Sequence, residues 1–223
     1  LPNFNYPSSI SEGWYTILSN KSGYYKDYHN AEVCGDISNQ NNALSSQLDE
    51  GEMRIMLKWP ITDPVTVVDL DAHLSIPDND STGTFHLYYD VNYYVYGAGD
   101  NVTLDWDDDS STAPPGKETI TILSGAATKV RSGTFSYSVH NFTDKDNDSG
   151  DCCPNYKTNL SKSGAKVKVF YNDEGTLVRK RFHVPNDNGT LWRVFTFNSS
   201  DSGGSGFTRV RKIIYESSRA NIY

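Results

Sequence analysis

Long apolar runs are missing from this 223-residue chain. No window approaches the roughly 18 apolar residues of a spanning helix, so insertion into a membrane by a helix is not expected. Positive charge is also scarce. With 20 Lys and Arg against 28 Asp and Glu, and a net charge of -8, the chain lacks the basic patch that releases counterions from a phosphate backbone, which argues against nucleic-acid partners. Methionine occurs only twice, and runs of Ala, Leu, Glu and Lys are few, so long helices are disfavoured. Cysteine is short and odd in number: Cys34, Cys152 and Cys153. A disulfide from Cys34 to one of the adjacent pair would leave one thiol over, and zinc ligation is unfavourable because neighbouring cysteines seldom both reach one ion.

What the chain does contain is aromatic and polar. Its 15 Tyr and 9 Phe stand among abundant Ser, Thr, Asn and Gly, the composition of strands and turns. The expected fold is an all-β, antiparallel β-sandwich, jelly-roll or immunoglobulin-like, over residues 51–223. Residues 1–50 read as an extended N-terminal arm or irregular segment, with one plausible helical turn in NQNNALSSQLDEGE. From Met53 the alternation is regular. MRIMLKW sets Met53, Ile55, Leu57 and Trp59 on one face, and VVDLDAHLSI sets Leu70, Ala72, Leu74 and Ile76 opposite Asp69, Asp71, His73 and Ser75. TFHLYYDVNYYVY reads as one strand with Phe85, Leu87, Tyr89, Val91, Tyr93 and Val95 together. Tyr88, Tyr94 and Tyr96 occupy its second face, either packed between sheets or available to sugars. NVTLDWD, KETITIL, TFSYSVHNF, AKVKVFY, TLVRKRFHV, LWRVFTF and FTRVRKIIY follow, separated by turn signals, with NDEG and NDNG as hairpin links.

The order MRIMLKW, DLDAHL, LDWDDDS, KETITI, GTFSYSVHNFTD, SGAKVKVFYNDEG and VPNDNGTLWRVFTFN resembles the YfaP-like domains, a largely uncharacterised family of extracellular β-sandwiches, from about Met53 to Asn198. Gly116 and Lys117 precede Glu118 and Thr119 where members usually carry Gly-Pro. The resemblance implies a surface or secreted domain and supplies no activity.

Eight Asn-x-Ser/Thr acceptors point the same way: Asn20, Asn79, Asn101, Asn141, Asn147, Asn159, Asn188 and Asn198. They suggest an extracellular or cell-surface protein carrying N-linked glycans, and a chain opening on Leu1 fits a processed form.

The chemistry-bearing residues are acidic. Asp69 and Asp71 share a face, while LDWDDDS sets Leu104 and Trp106 inward with Asp105 and Asp107 outward and Asp109 near the strand end. If these segments are neighbours, their carboxylates repel unless a hard cation, most naturally Ca²⁺, joins them. A solvated acidic face is the plainer reading, and a catalytic acid pair is the weakest. SDSGGSG, Ser200 to Gly206, looks like a protease nucleophile loop, yet Ser200 stands where glycine is needed. None of His29, His73, His86, His140 and His183 has a matching context. His73 and His140 read as strand residues satisfied by neighbours. No P-loop, G-x-S-x-G or H-E-x-x-H is present.

The functional expectation is a non-enzymatic extracellular glycoprotein, a structural subunit of a surface filament or matrix. Head-to-tail strand addition would use the N-terminal arm, with Phe4, Tyr6, Ile10 and Trp14 at the subunit interface. The alternative is a calcium-supported adhesin module that binds carbohydrate.

Overall fold

A computed structural model describes residues 11–34, 44–60, 69–78, 83–108, 116–145, 158–201 and 204–222. Phe4, Tyr6, Ile10, Asn79, Asp109, Asn147, Cys152 and Cys153 lie outside them. The chain divides into Leu1–Gln47 and Leu48–Tyr223.

The first unit corrects the expectation of an irregular arm. β1 (Gly13–Ser19) pairs antiparallel with β2 (Asp27–Val33), Gly13 opposite Val33 and Ser19 opposite Asp27. The alternating sequence WYTIL permits the ladder, and the expected helical turn is absent from residues 44–50.

The second unit is the expected all-β sandwich. Its strands are β3 (Met53–Trp59), β4 (Leu70–Pro77), β5 (Thr84–Leu87), β6 (Tyr93–Gly97), β7 (Asp100–Trp106), β8 (Gly116–Ser124) and β9 (Thr134–Asn141), then β10 (Lys166–Asp173), β11 (Thr176–His183), β12 (Leu191–Asn198) and β13 (Phe207–Ile214). A single helical turn, α1 (Asn159–Lys162), precedes β10. Six strands run in the order β11-β10-β3-β8-β7-β6 and five in the order β13-β12-β9-β4-β5, with every pairing antiparallel. The chain therefore crosses between sheets repeatedly instead of meandering within one.

Alternation dictates the core. Met53, Ile55, Leu57 and Trp59 of β3 are buried, as are Leu70, Ala72, Leu74 and Ile76 of β4. Aromatic residues fill the space between layers: Phe195 stacks on Tyr137 at 5.4 Å and on Phe182 at 5.1 Å between centroids. A bulge between Arg193 and Phe195 lets Val194 and Phe195 both stay buried.

Turn chemistry places two crossings differently from the sequence reading. The NDEG link is a hairpin, with Glu174 and Gly175 at φ of 50° and 80°, the left-handed pair of a two-residue type I′ turn. NDNG instead carries the chain from β11 in one sheet to β12 in the other. Likewise TFHLYYDVNYYVY is two strands. Tyr88 and Val91 exchange backbone hydrogen bonds at 3.1 and 3.0 Å, a turn that moves the chain between sheets. The turn also resets the parity, so Tyr94 and Tyr96 pack against the core while Tyr93 and Val95 are exposed.

At the start of β8, a side chain on Gly116 would collide with the indole of Trp59. Gly97, on the edge strand β6, has open space around it. Gly116→Ala should therefore cost about 1–3 kcal/mol in chemical denaturation, by overpacking, and Gly97→Ala within about 0.5 kcal/mol. Equal effects would show that the Trp59 contact does not constrain the sandwich.

Candidate metal centre

The face carrying Asp71, His73 and Ser75 belongs to a central strand, and the sequence reading of a wet surface is wrong for it. The three residues are 4%, 1% and 6% exposed. The cause is a cover that alternation cannot reveal. The Tyr88 ring stacks on His73 at 5.6 Å with an 8° tilt, and His86 stacks on it at 5.0 Å. Arg219 lies over Tyr88 and Tyr89 and pairs with Asp90 at 3.3 Å. The segment after β13 also reaches this face, where the Glu216 carbonyl accepts from His140 Nε2 at 2.8 Å.

Register brings the polar residues together. Asp71 is directly opposite His140, and Ser75 is opposite His86, so imidazoles from β5 and β9 join the β4 face. Asp71, His73 and His140 offer ligand atoms within 4.8 Å of one another. So do Asp69, Asp71 and Glu118. Asp71 belongs to both sets.

Glu118 comes from the opposite sheet. On β8 it shares parity with Ile120 and Ile122 and points into the sandwich, where it is 1% exposed and accepts from the Ala72 backbone N–H. That N–H is open because β5 pairs only with Leu74 to Pro77 of β4. The carboxyl thus fills a gap in the ladder. Its Oε1, together with Asp71 Oδ2 and His73 Nε2, is buried with no hydrogen-bond partner among the described residues.

The electrostatics follow from this burial. Loss of water pushes the Asp71 carboxyl up to about 8, and the charges of Asp69 and Asp107 push in the same direction. Desolvation raises Glu118 well above the carboxylate range, reinforced by Asp71. His73 is held well below its usual range by desolvation, then by His86 and His140, and burial lowers His86 to about 4. In the metal-free centre burial therefore favours the protonated form of Asp71 and Glu118 and the neutral form of His73 and His86.

Of the five aspartates expected to gather, Asp69 and Asp71 meet. Asp107 contributes charge to Asp71 and Glu118. Asp105 does not join: it is the extra residue of a bulge between Leu104 and Trp106, exposed, and accepts a hydrogen bond from the Thr121 hydroxyl. The same bulge overturns the inward placement of Trp106, which is 52% exposed with the Lys117 ammonium 4.6 Å from its ring. Glu118 was legible as a lone carboxylate on the apolar parity of KETITIL. The convergence of His140 on Asp71 was not, because it depends on long-range register.

The acceptor sites are placed unevenly. Asn20, Asn188 and Asn198 are exposed, and Asn101 and Asn159 are half-buried. Asn141 is fully buried, with its amide donating to Asp144 at 2.8 Å, so the expectation of a glycan there is corrected: folded chain encloses the atom that would carry it. Cys34 is exposed and has no disulfide partner among the described residues, while Cys152 and Cys153 lie outside them. The SDSGGSG segment joins β12 to β13, with Ser200 N–H capped by Asn198 Oδ1.

No family model matches the chain, and no curated protein does. A solved structure titled as the unknown function protein SAV2460 is similar to it, at 15% identity and a TM-score of 0.44, covering 76% of this chain and 91% of that one.

The direction of these shifts fixes a pH dependence for the metal-free protein. A carboxyl whose folded pKa is raised stabilises fully below its unfolded value of 3.8 and loses that contribution as pH rises through about 8. The lowered histidines work in the opposite sense only below 6.5. With EDTA present, the melting midpoint should fall between pH 6.5 and 8, and Asp71→Asn should flatten that slope. A slope unchanged by the substitution would contradict the buried-acid reading.

Proposed function

We propose that this chain is a non-enzymatic, extracellular β-sandwich module clamped by a divalent cation, with calcium between Asp69, Asp71 and Glu118. The observation that carries this reading is the convergence of carboxyls from opposite sheets, with Asp71 Oδ2 and Glu118 Oε1 buried and satisfied by no donor among the described residues. Three carboxyls so placed repel one another, and a hard cation with oxygen ligands converts that repulsion into a cross-link between layers. Extracellular calcium is abundant enough for a modest site of this kind. The exposed acceptors Asn20, Asn188 and Asn198 support a secreted, glycosylated protein. Tyr93 and Trp106, each 52% exposed on the six-stranded sheet, supply aromatic surface of the type that stacks on sugars, which supports a carbohydrate-binding adhesin.

Calcium at a hundredfold excess over its Kd should raise the melting midpoint by about 5–10 °C relative to EDTA, from the linkage of about 2.7 kcal/mol. Glu118→Gln keeps the side-chain shape and an acceptor for Ala72 but should abolish the calcium increment. A midpoint indifferent to calcium would overturn the reading.

A second reading, the filament subunit, is favoured by an exposed apolar face on the N-terminal hairpin. Trp14, Leu18 and Tyr28 are 72%, 48% and 51% exposed, and Leu18 is paired opposite Tyr28. The occupant it calls for is a second copy of this chain. Trp14→Ser combined with Leu18→Ser should shift sedimentation from assemblies toward monomer; an unaltered distribution counts against assembly through this face.

A further inference from the structure

Asp71 has a second set of neighbours whose chemistry differs from that of the carboxylates. His73 and His140 place imidazole nitrogens within 4.8 Å of its oxygen, and all three side chains are at least 96% enclosed. Imidazole is a poor ligand for calcium and a good one for zinc, cobalt, nickel or copper.

The hydrogen bonds fix which nitrogens are available. A backbone carbonyl only accepts, so the contact between His140 Nε2 and the Glu216 oxygen requires a proton on Nε2 and leaves the lone pair of the neutral ring on Nδ1. His73 Nδ1 lies 2.8 Å from His86 Nε2. When Nδ1–H donates to His86, the His73 lone pair lies on Nε2, the enclosed atom with no hydrogen-bond partner among the described residues. Each ring thus has its non-ligating nitrogen tied to a neighbour, the arrangement that orients metal-bound histidines.

We infer that Asp71, His73 and His140 form a second cation site, specific for a zinc-class divalent ion, beneath Tyr88 and the segment that follows β13. The inference rests on Asp71 being a cation ligand, as in the calcium reading, but uses no other residue of that set. The enclosure fits an ion held for structure and not one exposed to substrate. It also gives the Glu216 contact a consequence: the backbone there selects the His140 tautomer that binds, so metal and C-terminal segment stabilise one another.

Cobalt(II) is the probe, because its d–d absorption reports nitrogen ligation directly. The full chain should bind one Co²⁺ with a visible band that Zn²⁺ bleaches stoichiometrically. The band should be lost in His73→Gln and in His140→Gln variants that still melt cooperatively. It should persist in Glu118→Gln, which removes the calcium increment. Loss of that increment with the band retained separates the two sites. A band unaffected by either histidine substitution would overturn the inference. If the variants do not fold, X-ray absorption of the cobalt-loaded unsubstituted chain decides it: two imidazole shells are expected, and scattering from oxygen neighbours alone would refute the site.

Discussion

The structure turns on the burial of Asp71 and Glu118 against each other, one from each sheet. Two carboxyls enclosed this completely are costly to charge together, since water is excluded and the charges of Lys145 and Arg219 offset only part of the burial at Asp71. The deficit is met by protons or by a cation. Burial favours protons on both groups in the metal-free chain, at the cost of stability as pH rises. A divalent ion, as proposed above, would remove that cost and tie β4 to β8. The carboxyl of Glu118 occupies the gap at Ala72, and Gly116 stays small for a separate reason, the indole beside it. Trp59 fills the space beside the strand start, and the carboxyl enters two residues later.

Around this pair the molecule is built in shells. Inside lie the aliphatic and aromatic residues that both sheets contribute through alternation. On the outer side of the five-stranded sheet lie the imidazoles of His73, His86 and His140, then Tyr88, then Arg219 and the C-terminal segment. Each shell removes water from the one beneath it. A strand that would otherwise be amphipathic is thereby buried on both faces, and its polar residues become enclosed groups instead of surface.

How far the sequence foretold this depends on the range of the interaction involved. Local parity was decisive for β3, for the apolar half of β4 and for the NDEG hairpin, because each is set by neighbours within a few residues. It failed at Trp106, where one extra residue in β7 reversed the faces, and at Tyr88 to Val91, where a turn split an apparently continuous strand. It failed again for Asp71 and His73, whose burial depends on His86 of β5, on Tyr88 in the turn that follows it and on Arg219 beyond β13. The acidic centre was half legible: DLDAHL named Asp69 and Asp71, Asp105 was a false member, and Glu118 went unnamed although it stands as the lone carboxylate on the apolar parity of KETITIL.

The central claim is that a cation, and not only a pair of protons, neutralises the enclosed carboxyls. Crystals grown in calcium and measured at long wavelength would address it directly. An anomalous peak within bonding distance of both Asp71 and Glu118 is the result this account requires. A map with no peak there, and a direct carboxyl-to-carboxyl hydrogen bond in its place, would contradict it.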